Sequence, residues 1–215
     1  MNLQDSFAYL VVNNSSKIHV LNKNSLEFKK TITGFTSPRF IHFINASKAY
    51  VSDLYDNRMS ILNLQNHEIS GSINLRHSSE EIVGKDNYLY TNAWTHDSLV
   101  LKVNSTTDKL VDSVIVGYQP NSLAFDKDGN LWVLSDGGNI STPETEHPTL
   151  VKINPESMQV VKRFTFTNIN SSPFGLCFNN SKDSLFFIQR GNTKNGVYAM
   201  NINASELPQT PFIME

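Results

Sequence analysis

Short apolar segments recur along the chain at a nearly constant interval. Each segment has an aromatic residue near its start, and these aromatic residues are Tyr9, Tyr50, Tyr90, Trp132 and Phe186. The successive spacings are 41, 40, 42 and 54 residues. Internal repetition at such a period is the main signal of a repeat architecture. The longer last spacing indicates an insertion of about a dozen residues in the fourth repeat, at residues 136–148.

The other segments of each repeat follow in the same order. In the first repeat, a second apolar segment covers residues 18–21 and a third covers residues 28–32. A Pro- or Ser-marked turn then leads into a fourth segment, as at residues 38–40 and 120–123. The segments are rich in Val, Ile, Leu, Phe and Tyr and are bounded by Asn, Asp, Gly and Ser, which is typical of β-strands. No window of 11 or more residues has apolar spacing near 3.6, so no helix is predicted.

Four short strands in about 41 residues are typical of one β-propeller blade. The sequence therefore predicts an all-β propeller of four-stranded blades, with about five blades in one domain over residues 1–215. The first repeat is predicted to begin at its second strand, Phe7–Val12, without a first strand before it. A parallel β-helix is the structural alternative, but its repeat is shorter. The predicted blade units are residues 7–35, 36–76, 77–117, 118–167 and 168–215.

Composition narrows the classes of function. The 215 residues include 18 Lys and Arg against 20 Asp and Glu, giving a net charge of −2. This balance argues against a nucleic-acid partner and against a polybasic membrane anchor. The single cysteine excludes a disulfide framework within the chain and a cysteine-based zinc site. The first residues, MNLQDSF, have neither the basic nor the apolar region of a signal peptide.

The predicted topology gathers the more complex loops on one rim. If the strands of each blade are named A to D in chain order, the D-to-A and B-to-C connections share a rim, and the other turns are short. Loops on a rigid scaffold commonly carry function. We therefore expect a ligand-binding surface there, with no catalytic residue, no metal ligand and no cofactor. The candidate binding residues are Arg39, Tyr55, Glu81, Trp94, His96, Asn121, Phe174 and Arg190.

Three other patterns receive mainly structural interpretations. Residues 126–129 resemble the opening of a calcium loop but lack its later Glu, so a hairpin turn is favoured. Cys177 lies in an apolar segment and is expected to be a buried, inert thiol. Glu80 and Glu81, with Asn121, would suit a divalent cation in the channel of a hydrolase, which is kept as an alternative.

Several motifs carry a resemblance to a known family. Tyr50-Val51-Ser52-Asp53 and Tyr90-Thr91-Asn92 approximate the motif of the YVTN propellers, and residues 117–133 fit the same family. Residues 12–53 resemble more closely its YncE-like branch of surface lipoproteins from Bacteroidetes-type bacteria. That branch includes a cobalamin-binding propeller that works beside a TonB-dependent transporter.

The resemblance implies a seven-bladed ring, export by a lipoprotein signal and a place on the outer face of the outer membrane. It also implies a non-enzymatic role in capturing a small nutrient, with a corrinoid as the leading candidate and a TonB-dependent transporter as partner. The chain departs from the family in having no signal peptide or lipobox cysteine and about two blades fewer. A truncated member, or part of a larger protein, would explain both departures, and a five-bladed ring is the alternative. Alternative functions are a lactonase-like hydrolase with a channel metal and a protein-interaction scaffold.

Overall fold

The computed structural model describes residues 1–138, 141–191 and 194–214. Across these residues the chain forms twenty β-strands and no α-helix, with one 3-10 turn at Asn13–Ser15. The strands make five four-stranded antiparallel sheets, each built from strands consecutive in the chain. This arrangement confirms the predicted all-β propeller class with four-stranded blades.

The twenty strands are distributed four to a sheet. The first sheet contains β1 (Asn2–Gln4), β2 (Phe7–Val12), β3 (Lys17–Asn22) and β4 (Phe28–Thr33), and the second contains β5 (Pro38–Phe43), β6 (Lys48–Asp53), β7 (Arg58–Asn63) and β8 (Glu68–Asn74). The third contains β9 (Ile82–Lys85), β10 (Tyr88–Ala93), β11 (Leu99–Asn104) and β12 (Lys109–Ile115). The fourth contains β13 (Pro120–Phe125), β14 (Leu131–Ser135), β15 (Thr149–Asn154) and β16 (Gln159–Thr165), and the fifth contains β17 (Ser172–Phe178), β18 (Ser184–Arg190), β19 (Gly196–Asn201) and β20 (Ile213–Met214).

The first sheet has a strand that the sequence did not predict. β1 pairs with β2 in the register Asn2↔Tyr9, Leu3↔Ala8 and Gln4↔Phe7, so the expectation that this blade lacks strand A was wrong. Residues 2–4 have a single apolar residue between two polar ones, so the sequence alone does not predict a strand there. The tight turn that contains Asp5, with a φ of 50°, lets the segment fold back and pair with β2.

The chain divides into two compact units, residues 1–91 with 102–111, and residues 92–101 with 112–215. In the first unit, the core joins side chains of the first two sheets, including Tyr9, Ile18 and Val51. In the second unit, the core joins the fourth and fifth sheets through residues such as Trp132 and Phe187.

The second strands of several sheets are buried along almost their whole length. All five residues of β14 are buried, and so are the last five residues of β6. Both faces of these strands are therefore covered, which explains why their sequences do not alternate between apolar and polar residues. Among the described residues, no helix is long and apolar enough to cross a membrane.

Candidate functional site

All eight predicted binding residues lie at corresponding ends of their own sheets. In each antiparallel sheet, the start of strand A and the B-to-C connection share one end, here called the B–C end. Arg39 and Asn121 are the second residues of β5 and β13, and Arg190 is the last residue of β18. Tyr55, Trp94 and His96 occupy B-to-C connections, Glu81 immediately precedes β9, and Phe174 lies near the start of β17. Arg39, Tyr55 and Glu81 belong to the first unit and the other five to the second.

In the first unit, Arg39 is bound by an acidic neighbour. Its Nε donates to Oε1 of Glu80 over 3.0 Å, and its Nη2 donates to the same oxygen. Glu80 is only 8% exposed. A charge-assisted contact with a buried carboxylate is stronger than a surface ion pair. Arg39 is therefore held in a defined orientation by Glu80, which sequence reasoning had considered only as a metal ligand.

Tyr55 projects into solvent from a loop that is organised by Asp53. Tyr55 is 66% exposed. The Asp53 carboxylate is buried and accepts backbone N–H groups from Thr36 and Ser37 over 2.9 Å and from Tyr55 over 3.1 Å. These bonds join the B–C end of the second sheet to the connection that precedes β5. Asp53 was not predicted as a site residue, although its place at the end of the apolar segment 49–53 was a signal for it.

In the second unit, polar side chains at the B–C end are hydrogen-bonded around the carboxylate of Asp136. The indole Nε1 of Trp94 donates to Oδ2 of Asp136 over 3.4 Å, and the Gly138 N–H donates to Oδ1 over 2.9 Å. The Asn121 side chain also hydrogen-bonds this carboxylate, and its Nδ2 donates to the carbonyl of Pro173 over 2.8 Å. Burial raises the pKa of Asp136, and the hydrogen bonds oppose that shift only in part. Trp94, Asn121 and Asp136 form the Asp136 cluster.

A groove of about 340 Å³ lies in the same unit. Tyr118 lines it, is 4% exposed and lies with its hydroxyl 3.4 Å from Nδ1 of the exposed His96. The groove is completed by Leu99, Ile115 and Glu144 among others. Burial raises the pKa of Tyr118, and the negative charge of Glu144 adds to the effect. Residues 139 and 140 of the predicted insertion 136–148 lie outside the described residues.

Phe174 and Arg190 lie on neighbouring strands. The Arg190 guanidinium carbon is 5.2 Å from the centroid of the Phe174 ring. A guanidinium over an aromatic face gains electrostatic attraction while keeping its N–H groups available to a ligand. Residues 192 and 193 of the loop after Arg190 lie outside the described residues.

Four buried side-chain polar atoms of the second unit have no hydrogen-bond partner among the described residues, and three of them lie around the start of β13. These three are Oδ1 of Asn92, Oε1 of Gln119 and Oγ of Ser135. Nδ2 of Asn92 donates to the carbonyl of Pro120, and Ser135 is the strand partner of Pro120. Unpaired groups of this kind are commonly satisfied by ordered water. These unpaired atoms therefore make the region around the start of β13, next to Asn121, polar.

Two predictions outside the rim had different outcomes. Residues 126–130 do form the hairpin turn between β13 and β14. Cys177, however, is exposed, so the expectation of a buried thiol was wrong. Its neighbour Leu176 packs in the core, and the alternation of side chains along β17 turns Cys177 to the opposite, accessible face.

The described residues contain no group of three or more His, Cys, Asp or Glu side chains placed to hold a metal ion. Glu80 binds Arg39, and the Asn121 amide donates to Pro173. Two of the three residues considered as metal ligands, Glu80 and Asn121, are therefore hydrogen-bonded to other groups.

Solved structures with the same fold come from proteins of different kinds. Hydrazine synthase of Kuenenia stuttgartiensis aligns with a TM-score of 0.80 and 12% identity, over 92% of this chain and 60% of that one. The WD40 domain of Toxoplasma gondii coronin aligns with a TM-score of 0.71 and 11% identity, over 94% and 54% of the two chains. Dihydro-heme d1 dehydrogenase NirN, in complex with DHE, gives 0.60 and 15%, over 75% and 37%.

At these identities the likeness shows the β-propeller fold alone. The chain spans between 37% and 60% of the length of the three structures. A search of curated protein sequences gives no match. The sequence profile of the family described as "Domain of unknown function (DUF5074)" matches residues 3–214. The chain therefore belongs to the DUF5074 family and is a propeller-type member of it.

Proposed function

We propose that the chain is a non-enzymatic binding propeller that captures a small-molecule nutrient at the B–C end of its blades. The propeller fold suggests a binding or scaffold role. The observation that carries the proposal is the Asp136 cluster, in which a partly exposed indole stands beside a carboxylate and an amide. An apolar face next to a few fixed polar groups is the usual composition of a small-molecule site.

A corrinoid such as cobalamin is the proposed ligand. Corrinoids are broad, flat molecules that carry amide groups around their edge and a phosphate in the nucleotide arm. The Trp94 face offers apolar contact to the ring. The Asp136 carboxylate accepts amide N–H groups, and the exposed guanidinium of Arg190 suits the phosphate.

The proposal extends to location and partner through the resemblance to surface lipoprotein propellers. In this form the protein works on the outer face of the outer membrane and passes its ligand to a TonB-dependent transporter. A flat ligand seated on the B–C end would leave its opposite face accessible to that partner.

Equilibrium dialysis against cyanocobalamin tests the ligand. We expect binding at micromolar concentration, weakened by about tenfold or more in Trp94→Ala, because the aromatic contact and its hydrogen bond are both lost. Tryptophan fluorescence provides a second readout, since Trp94 is partly exposed whereas Trp132 is fully buried.

Phe28→Ala is the matched control, because Phe28 is an exposed aromatic residue of β4, outside the B–C end. Equal loss of binding in this variant would indicate non-specific adsorption and would contradict the proposed site. The absence of binding at micromolar cyanocobalamin would overturn the corrinoid proposal. Bound calcium or zinc that is lost in Glu81→Ala would favour the hydrolase instead.

A further inference from the structure

A second cavity of the second unit lies between the end of β16 and the fifth sheet. Its volume is about 500 Å³, which is within the range of small-molecule sites, and we call it the β16 cavity. One side is formed by residues 164–168 and the other by residues 206–209. The lining also includes Ser171, Gln189, Lys194 and Tyr198. The β16 cavity shares no lining residue with the Asp136 cluster, so its role is separate from the proposed function.

Both sides of the cavity are held by bonds to the rest of the unit. On one side, the Phe166 N–H donates to the carbonyl of Pro148 over 2.9 Å. On the other, the Lys194 ammonium donates to the carbonyl of Gln209 over 3.1 Å, and Leu207 packs against the core. The cavity is therefore bounded by fixed segments of the chain, as small-molecule sites usually are.

Two of the polar side chains that line the cavity are buried. Gln189 is 7% exposed and Ser171 is 3% exposed. Nε2 of Gln189 lies 3.5 Å from Oγ of Ser171, which is the outer limit of a hydrogen bond. Buried polar groups cost free energy unless they are well hydrogen-bonded. Because their mutual contact is weak, this amide and this hydroxyl are suited to bonding a ligand in the cavity.

The turn that carries Ser171 is fixed against the end of β18. The Ser171 N–H donates to the carbonyl of Asn168 over 3.0 Å, and the Asn170 N–H donates to Oδ1 of Asn168 over 3.0 Å. A Cβ atom at Gly191 would lie 2.1 Å from the carbonyl oxygen of Asn170, so only glycine allows the two segments to come this close. The turn and Gln189 are therefore held in a defined relation to each other.

Most other polar groups of the lining are uncharged. Thr165 and Thr167 are exposed and carry hydroxyls, and Gln209 carries an amide. Hydroxyl and amide groups can both donate and accept hydrogen bonds. The two charged residues of the lining, Lys194 and Glu206, have opposite signs. The lining therefore has no net charge and favours neither an anion nor a cation.

We infer that the β16 cavity binds a small uncharged polyhydroxylated ligand, either a free monosaccharide or the terminal sugar of a glycan. Each sugar hydroxyl donates and accepts, which matches a lining of amides and hydroxyls. The C–H groups of the sugar ring suit the apolar side chains of Leu207 and Pro208. A purely apolar ligand would leave the Gln189 amide and the Ser171 hydroxyl without hydrogen bonds, so the cavity would reject it.

Saturation-transfer-difference NMR and titration calorimetry on the full chain test this inference. The probes are glucose, galactose, mannose and N-acetylglucosamine, with glucuronate and glucosamine as charged counterparts. We expect at least one neutral sugar to bind saturably at millimolar concentration or below, and the charged counterparts to bind more weakly. Methyl glycosides of the sugars that bind distinguish the two sources, because only a site for a glycan end accepts a substituent on the anomeric oxygen. No saturable binding of any neutral probe would overturn the inference.

Substitutions locate the sugar in the β16 cavity. Gln189→Leu nearly keeps the size of the side chain but removes its hydrogen bonds, so we expect affinity to fall by about tenfold. Gln119→Leu is the matched control and should bind as wild type does, because Gln119 is also a buried amide of the second unit but does not line the cavity. Thr167→Val removes an exposed hydroxyl and should weaken binding by about threefold, which covers a failure of Gln189→Leu to fold. Wild-type affinity in both cavity variants would overturn the inference.

Discussion

The indole N–H of Trp132 donates to Oδ2 of Asp126 over 2.9 Å, across the hairpin that joins β13 and β14. Both residues are buried, with exposures of 0% and 3%. The same carboxylate accepts the backbone N–H of Asn130 over 2.8 Å and lies 3.3 Å from the ammonium of Lys152. One acidic side chain therefore satisfies the turn, the aromatic residue that marks the repeat and a cation of β15.

Removing the charge of Asp126 should destabilise the fourth sheet. In Asp126→Asn an amide replaces an acceptor that serves several donors, and at least one buried donor loses its partner. We expect the free energy of unfolding to fall by about 1–3 kcal/mol, measured by urea denaturation. Asp128→Asn, at an exposed position of the same hairpin, should change it by less than about 0.5 kcal/mol. Equal stabilities for the two variants would contradict this role.

The Asp126 interactions should also make stability depend on acidity. Burial acts to raise the pKa of Asp126, but hydrogen bonds from Trp132 and Asn130 and the charge of Lys152 outweigh it, so its pKa is lowered. A lowered pKa contributes stability that is complete above the unfolded value of about 4 and is lost as the pH falls through the folded value. Denaturation midpoints should fall more steeply below about pH 5 in wild type than in Asp126→Asn.

The contribution of Asp136 to stability should depend on pH in the opposite direction. Burial raises its pKa, so its contribution is most favourable at low pH and declines as the pH rises from about 4 through the raised value. Asp136→Asn should remove this decline. The comparison is the slope of unfolding free energy against pH in the two proteins. The same slope in both would show that the carboxylate is as well solvated when folded as when unfolded.

Gly117 should tolerate no side chain. A Cβ atom there would lie 2.2 Å from Oγ1 of Thr149 and 3.1 Å from Oγ of Ser135. We expect Gly117→Ala to cost about 1–3 kcal/mol through overpacking. Thr149→Ala removes the nearer atom, so the double variant should recover part of the loss. A double-mutant cycle measures this coupling, and strictly additive effects would contradict the contact.

Tyr50 and Asp108 should be coupled in the first unit. The Tyr50 hydroxyl donates to Oδ1 of Asp108, which also accepts from Lys48 over 2.6 Å. Tyr50→Phe should lower the free energy of unfolding by about 1 kcal/mol, and the effect should largely disappear when Asp108 is already Ala. Thermal or urea denaturation of the four proteins provides the measurement. A full loss in the Asp108→Ala background would indicate that the hydroxyl matters for another reason.

Much of the fold could be predicted from local pattern. The aromatic residues at positions 9, 50, 90 and 132 are buried in the second strands of four sheets. The turn at residues 126–130 lies where Asp and Gly predict it. Such features depend on side-chain type and on a short repeat, which the sequence contains in full. β1 escaped prediction because three residues without apolar alternation become a strand only through their partner.

The candidate site was predictable in position but not in its contacts. Topology places the ends of strands, so Trp94 and Asn121 could be assigned to the B–C end from the sequence. Asp136 lies 42 positions after Trp94, and the sequence identified it only as the first residue of the insertion in the fourth repeat. Glu80 was considered as a metal ligand and is instead the partner of Arg39. These pairings join residues that are distant in the chain.

By itself the sequence determined the strand-forming segments, their repeat and the turns between them, because each depends on interactions within about 40 residues. Only the tertiary structure decided which polar groups are buried and which carboxylates have raised or lowered pKa values. Cys177 shows the difference, since its apolar segment indicated burial but its face of β17 is accessible. Burial depends on what other segments cover, and that information is not local.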